Sequence, residues 1–232
     1  MGKRIIVQAR GKGSLTYRVK KRAFRYRLQY PQKLSGEGTV AQLLNSPAHS
    51  CPLAKIKYEN GFFYMPAFKS MIEGQKINFE GKEIKDGNIM KLKNIPIKTK
   101  IYGIESRPGD GGVFIKTGGS SAIINRVLGE KILVLMPSKK EREFNPNCRA
   151  VIGVVAGTGR NDKPIVKAGK HHHIKKARNK FWPRTSAVKM NVIDHPFGSG
   201  RGKRIKSKIS KRNAPPGRKV GLIRPRRTGK RK

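Results

Sequence analysis

Asp194 and His195 are adjacent, and Ser186 and Ser199 lie within a few positions of them. An acid, an imidazole and a hydroxyl are the parts of a hydrolase site, with His195 as base, Asp194 as its orienter and a serine as nucleophile. Adjacent side chains need not hydrogen-bond, however, and no oxyanion scaffold is evident in Asn191-Val192-Ile193-Asp194-His195-Pro196-Phe197-Gly198-Ser199-Gly200-Arg201-Gly202. The competing reading is a charge-compensated turn pressed on RNA. Pro196 biases His195 away from helix, and the glycines let the backbone approach a surface closely. Composition favours the turn, because the segment has no apolar stretch behind it.

His171-His172-His173 invites a metal reading. Adjacent histidines on a strand point to opposite faces, and no second group of Cys or His supplies the missing ligands. Lys170, Lys175 and Lys176 also disfavour a cation, so contact with RNA is the expectation. The glycine clusters at 109–112, 118–119 and 157–159 lack the Gly-Lys-Ser/Thr ending of a phosphate-binding loop. Turns between strands account for them better, although Gly157-Thr158-Gly159-Arg160 sits where a strand meets basic chain. No intrinsic cofactor or metal is expected, and Mg²⁺ enters only through bound RNA.

The elements that must hold these residues differ sharply in charge. The chain has 232 residues and a net charge of +41. Residues 1–33 hold 11 basic residues and no acid, and residues 169–232 hold 22 and one acid, Asp194. The middle, 34–168, holds 21 basic and 12 acidic residues, an ordinary balance for a folded body. Two polycationic ends repel themselves and each other, so their order calls for a dense polyanion, which in a cell is nucleic acid. The first end interleaves arginine with aromatics (Tyr17, Phe24, Tyr26, Tyr30), a composition suited to phosphate pairing and base stacking. These aromatics have no obvious core to join, so the arm is read as an RNA-contacting extension. From Gly169 onward large aliphatics are too sparse to bury a core. Fully extended, that tail would reach roughly 200 Å.

The middle reads as short strands separated by turns. The strand candidates are 38–44, 53–58, 62–65, 75–79, 100–105, 112–116, 122–128, 131–135 and 150–155. Asn60-Gly61 between two alternating runs is a hairpin signal. No long segment of helical period exists, so helices should be few and short. Expected boundaries are 1–33 for a basic extension, 34–86 and 87–168 for two small barrels, and 169–232 for a second basic extension. Cys51 and Cys148 read as two lone thiols rather than a disulfide. No apolar run of about 18 residues is present for a membrane helix. The start, Met1 to Val7, is too short an apolar stretch for a signal peptide, and Ile6 stands where a myristoylation site needs Ser or Thr.

Several motifs in fixed order then become recognisable. They are Glu105-Ser106-Arg107-Pro108-Gly109-Asp110-Gly111-Gly112, the run from Cys148 to Gly157, Asp162-Lys163-Pro164 with Lys167-Ala168-Gly169, Met190-Asn191 with Asp194-His195-Pro196-Phe197-Gly198, and the run from Ser210 to Gly221. With these motifs the chain closely resembles the universal L-two family of large-subunit ribosomal proteins, in its archaeal or eukaryotic-type form, over essentially its whole length. Phe197 stands where bacterial members usually carry His, and Ser199 breaks the usual run of glycines.

The resemblance implies a mostly β fold: an OB-like barrel followed by an SH3-like barrel, with extended basic N- and C-terminal segments. It implies a structural constituent of the large subunit that binds rRNA directly and supports subunit association, tRNA binding and peptide-bond formation. Chemistry is attributed to rRNA, so no enzyme is expected. Asp194, His195 and Pro196 carry over as the motif near the peptidyl transferase centre. Implied partners are large-subunit rRNA, other ribosomal proteins, and small-subunit rRNA or proteins at an intersubunit bridge, in the cytoplasm and with no membrane.

Charge map and resemblance together mark the expected rRNA contacts. In the first end these are Arg4, Arg10, Lys12, Arg18, Arg22, Arg25 and Arg27. Around the junction they are Arg160, Lys163, Lys167, Lys170, His171, His172, His173, Lys175, Lys176 and Arg178. In the tail they are Trp182, Arg184, His195, Phe197, Gly198, Arg201, Lys203, Arg204, Arg212, Arg218 and Lys219. Two other classes compete: a free nucleic-acid-binding or chromatin-type protein with an OB-like barrel, and a hydrolase using His195. The acid-free ends and the ordered motifs favour the ribosomal reading.

Overall fold

In a computed structural model the described residues are 3–81, 83–200, 205, 210 and 213–221. The chain divides into two units: Lys20–Ala177, and Met1–Val19 with Arg178–Lys232. The first 33 residues are therefore shared out. Residues up to Val19 go with the C-terminal part, and the rest belongs to the body that contains all the strands.

That body is mostly β, as expected. Its strands are β1 (Gly36–Leu44), β2 (Leu53–Tyr58), β3 (Gly61–Pro66), β4 (Lys76–Phe79), β5 (Ile89–Lys91), β6 (Lys100–Tyr102), β7 (Ala122–Leu128), β8 (Lys131–Leu135), β9 (Glu141–Phe144) and β10 (Arg149–Ile152). They form one sheet in the order β3-β2-β1-β4-β5-β10-β6-β7-β8-β9. Strands β2, β7 and β8 have the bounds read from the sequence. The β2–β3 hairpin forms, but Gly61 pairs with Tyr58, so the two turn residues are Glu59 and Asn60. Residues 112–116 do not make a strand; Phe114 contributes only an isolated bridge to Ile104. Sequence patterning missed β5 and β9: the first is three residues long, and the second is Glu-Arg-Glu-Phe, with one buried residue.

Two apolar cores flank a shared wall made of β5, β10 and β6. Ile89, Val151 and Tyr102 face one core, with Leu53, Ile56, Met65, Ile77 and Phe79. Met90, Ala150, Ile152 and Ile101 face the other, with Ile104, Ile124, Ile132, Val134 and Phe144. Side chains on a strand alternate faces, so three short strands buried on both sides join the two barrel-like bodies. This is why 149–152 is wholly buried, and why 150–152 reads as continuous apolar sequence rather than alternating. Gly38 makes room for one of the aromatics: a Cβ there would stand 2.5 Å from the Phe79 ring.

The aromatic arm needs correction. Tyr30 is buried in the first core, and Tyr26 is half-buried with its ring 4.9 Å from that of Tyr64. Their partners lie some thirty residues or more along the chain, which no local pattern reveals. The Tyr30 hydroxyl donates to the Gly103 and Arg149 carbonyls. Burial pushes its pKa well above the ordinary value.

Beside it Glu105, fully buried, accepts from the Arg149 guanidinium at 2.7 and 3.1 Å, from Arg149 N–H at 2.8 Å and from Gly111 N–H at 3.1 Å. Asp110 closes the same loop by accepting from the N–H groups of Ser106, Arg107 and Gly112. Gly112 has φ +82°, and a Cβ there would meet the Gly103 carbonyl oxygen at 2.5 Å. The glycines at 109–112 thus serve close protein packing. Those at 118–119 do the same: a Cβ on Gly118 would lie 2.5 Å from the Ser50 carbonyl oxygen. Both cysteines are free and buried, and burial raises each thiol to about 11.

Removing one partner of a buried ion pair strands the other charge, at a cost of about 3–5 kcal/mol. Arg149→Met should therefore lower the stability of the body by about that amount. Urea unfolding followed by far-UV circular dichroism of the full-length chain checks this. An unchanged midpoint would show that Glu105 does not depend on Arg149.

Candidate nucleic-acid interface

The residues expected to touch RNA fall into both units. In the body, Arg22, Arg25 and Arg27 are exposed in the segment leading to β1, with the Arg25 guanidinium 5.8 Å from the centre of the Tyr26 ring. Residues 157–170 are exposed throughout, so Arg160, Lys163, Lys167 and Lys170 all reach solvent. The three histidines lie on a helix, α2 (Ala168–Ala177), where an extended strand was assumed. The helix buries none of its residues. His172, His173 and Lys176 are exposed, and His171 and Lys175 half-buried. No apolar stripe forecasts this helix, because it packs no face on the core. Among the described residues no group of three or more His, Cys, Asp or Glu is placed to hold a metal ion.

Five of the body's exposed carboxylates are engaged in ion pairs. Glu37 pairs with Lys76, Glu80 with Lys91, Glu83 with Lys85, Glu141 with Arg126 and Glu143 with Lys131. These are exposed pairs of little energetic weight, but they place acid next to base within the strands and their turns. From Arg160 to Ala177 the sequence has one acid, Asp162.

The other unit holds Arg4, Arg10, Lys12, Arg18, Arg178, Trp182, Arg184, Asp194, His195, Pro196, Phe197, Gly198, Arg218 and Lys219. Arg201, Lys203, Arg204 and Arg212 lie outside the described residues. The unit has 24 Lys and Arg against one acid. Among its described residues only Phe197 and Val220 are buried hydrophobics. Chain-to-chain contacts replace a core. A short helix, α1 (Ile6–Gly11), brings Gln8 against Gly217. The Asn179 side-chain amide donates to the Thr16 and Arg18 carbonyls, and the Arg18 Nε donates to the Gly13 carbonyl at 2.7 Å.

The Asp-His-Pro segment is a tight turn in this unit. Asp194 N–H and His195 N–H both donate to the Asn191 carbonyl, and Gly198 N–H donates to that of His195 at 2.8 Å. Ser199 N–H returns to the Met190 carbonyl, with Ser199 itself at φ +66°. Gly198 is sterically required: a Cβ would stand 2.2 Å from the Asn191 carbonyl oxygen. The Phe197 ring is buried against the imidazole, with centroids 5.1 Å apart.

Two contacts decide the chemistry. Asp194 is bound to Lys3 at 2.7 Å. His195 Nδ1 accepts the Phe197 N–H at 3.0 Å. In a hydrolase triad the orienting carboxylate holds the imidazole by its Nδ1–H. Here Nδ1 is an acceptor, which leaves the proton on Nε2 of a neutral ring. Burial also lowers the His195 pKa below its ordinary value. The site is therefore a fixed hydrogen-bond donor, and the hydrolase reading fails on its geometry.

Sequence reasoning missed Lys3, which lines one cavity of about 570 Å³ with Arg4, Tyr17, Lys189, Met190 and His195. Its distance along the chain from the motif left no signal to find it.

A strand-rich body and a nearly core-free, polycationic second unit suit a protein that binds a polyanion, and the sequence comparisons give its family. The profile of the family described as Ribosomal Proteins L2, C-terminal domain, matches residues 85–217. The chain is 45% identical over 240 residues to the large ribosomal subunit protein uL2 of Archaeoglobus fulgidus, and equally to that of Methanococcoides burtonii, covering all of both chains. It is 40% identical to the uL2 of Korarchaeum cryptofilum, covering all of this chain and 97% of the relative. The chain belongs to the ribosomal protein uL2 family. That is a structural family and not a class of enzymes, and membership assigns the chain to the cytoplasmic ribosome. No described helix is long and apolar enough to cross a membrane.

The fold favours the neutral imidazole of His195, so the unfolded chain binds more protons just below the ordinary histidine pKa of about 6.5. The turn's contribution to stability is then full above that pH and falls as pH is lowered through it. Imidazole titration by NMR should place His195 below about 6.5. Gly198→Ala, which opens the turn, should return it toward the ordinary value. An unshifted His195 in the parent chain would contradict the Nδ1 contact.

Proposed function

We propose that this chain is a primary rRNA-binding protein of the large ribosomal subunit, and that its Asp-His-Pro turn supports RNA geometry near the peptidyl transferase centre. The observation that carries the reading is the second unit, with its 24 cations, one acid and two described buried hydrophobics. Such a unit cannot stabilise itself by burial, and its charges oppose compaction until phosphates neutralise them. Lysine and arginine on phosphate supply affinity and register. Unstacked bases, 2′-hydroxyls and shape supply recognition. The body has a cationic stretch of its own in the exposed run 160–170 and α2. Support for subunit association and tRNA binding follows from the same position in the subunit, with small-subunit components as bridge partners. Catalysis of peptide-bond formation rests with rRNA, and any Mg²⁺ arrives with it.

Within that reading His195 is a wedge. Its Nε2–H is offered in one direction because Nδ1 is taken by the following turn. Glutamine can reproduce both roles, accepting from Phe197 N–H and donating outward. Alanine reproduces neither.

Two measurements test the proposal. Sucrose-gradient sedimentation of lysate before and after a high-salt wash should leave the protein in the large-subunit peak. Recovery mainly at the top of the gradient would instead support the free nucleic-acid-binding class. His195→Gln should assemble and translate better than His195→Ala. The alanine variant should be retained about two- to tenfold less well, the scale of one hydrogen bond at about 0.5–1.5 kcal/mol. Equal and full activity of both would remove the special role of the ring.

A further inference from the structure

We propose that the cavity beside His195 takes one unstacked nucleotide of the rRNA, base inside and phosphate at the rim. This rests on the reading of the chain as an rRNA-binding protein, and adds to it a particular receptor for a particular kind of nucleotide. The cavity measures about 570 Å³, within the usual range of about 300–1,000 Å³ for small-ligand sites. That is room for a nucleotide and too little for a duplex.

Its lining is chemically mixed in the way a nucleotide is. Ile6 and Met190, both half-buried, give apolar surface. Tyr17, also half-buried, gives an aromatic ring on which a base of any identity stacks. Arg4 and Lys189 are exposed cations on the same lining, suited to a phosphate. The one acid present, Asp194, is already neutralised by Lys3. An anionic group therefore meets no unpaired carboxylate on entry.

His195 adds direction. With Nδ1 accepting from Phe197 N–H, the ring has a single donor left, Nε2–H, for a base-edge acceptor. A peptide ligand would use the apolar wall but leave the two free cations without a counter-charge. Duplex RNA does not splay its bases, so the occupant comes from a loop, a bulge or an end.

The test uses large subunits carrying the full-length chain with Tyr17→Leu, and separately with Ala9→Trp, which fills the cavity from α1. Each is compared with the parent by 2′-hydroxyl acylation of the rRNA, read nucleotide by nucleotide, and by gradient sedimentation. Both variants should remain in the large-subunit peak. The same rRNA nucleotide, protected in the parent, should gain reactivity several-fold in both. Normal incorporation with acylation profiles identical to the parent would overturn the cavity proposal and leave the rRNA-binding reading standing. If the tryptophan prevents incorporation, Tyr17→Leu decides alone, since it keeps side-chain bulk and removes only the stacking face. Absence of the parent chain from the large-subunit peak would overturn both readings together.

Discussion

The body of this protein is organised around one buried ion pair, Glu105 with Arg149. The pair lies at the end of β10, the strand shared by both cores. Glu105 receives four hydrogen bonds: two from the guanidinium, one from Arg149 N–H and one from Gly111 N–H. Arg149 in turn lies 5.1 Å from the centre of the Tyr30 ring, whose hydroxyl reaches back to the Arg149 carbonyl. One pair thus fixes the loop 105–112, the end of β10 and the segment entering β1. Buried pairs of this kind add little net stability over apolar packing, because desolvation offsets attraction. What they do is penalise every arrangement that leaves one charge alone. In a protein with an excess of 41 positive charges, that constraint has a further effect. It withdraws an arginine from RNA and commits it to the fold.

The same sorting of charge runs through the whole chain. Five acids of the body sit beside lysines and arginines of neighbouring strands and turns, and residues 34–168 hold 12 acids against 21 bases. The second unit has almost no acid to spend, and Asp194, its only one, holds Lys3. Apolar burial is divided unequally between the two units: the first has two cores, the second two described buried hydrophobic side chains.

Much of the body was legible because its signals are local. Alternation marked β2, apolar runs on either side of Gly129-Glu130 marked β7 and β8, and Asn60-Gly61 announced a hairpin, though its turn sits one residue earlier. Two kinds of information were not local. Tyr30 and Tyr26 look like members of a basic arm, yet they pack on residues far along the chain. Helix α2 has no apolar stripe because none of its residues is fully buried, so a periodicity argument has no purchase on it. The Asp-His-Pro motif was legible as a motif, while the meaning of its parts was not. Which atom Nδ1 meets is decided by a turn whose closure depends on Gly198 lacking a Cβ.

That turn shows why adjacency is poor evidence for a catalytic pair. A base needs a lone pair aimed at the proton it removes and a partner that stabilises the charge it acquires. In His195 the Nδ1 lone pair is spent on the Phe197 amide, burial disfavours the charged ring, and the neighbouring carboxylate is turned to an ammonium. Each contact subtracts from catalysis and adds to rigidity. What remains is one N–H held in place by a buried phenylalanine and a glycine that tolerates no side chain. Such a group offers a hydrogen-bond donor in a fixed place without offering a base.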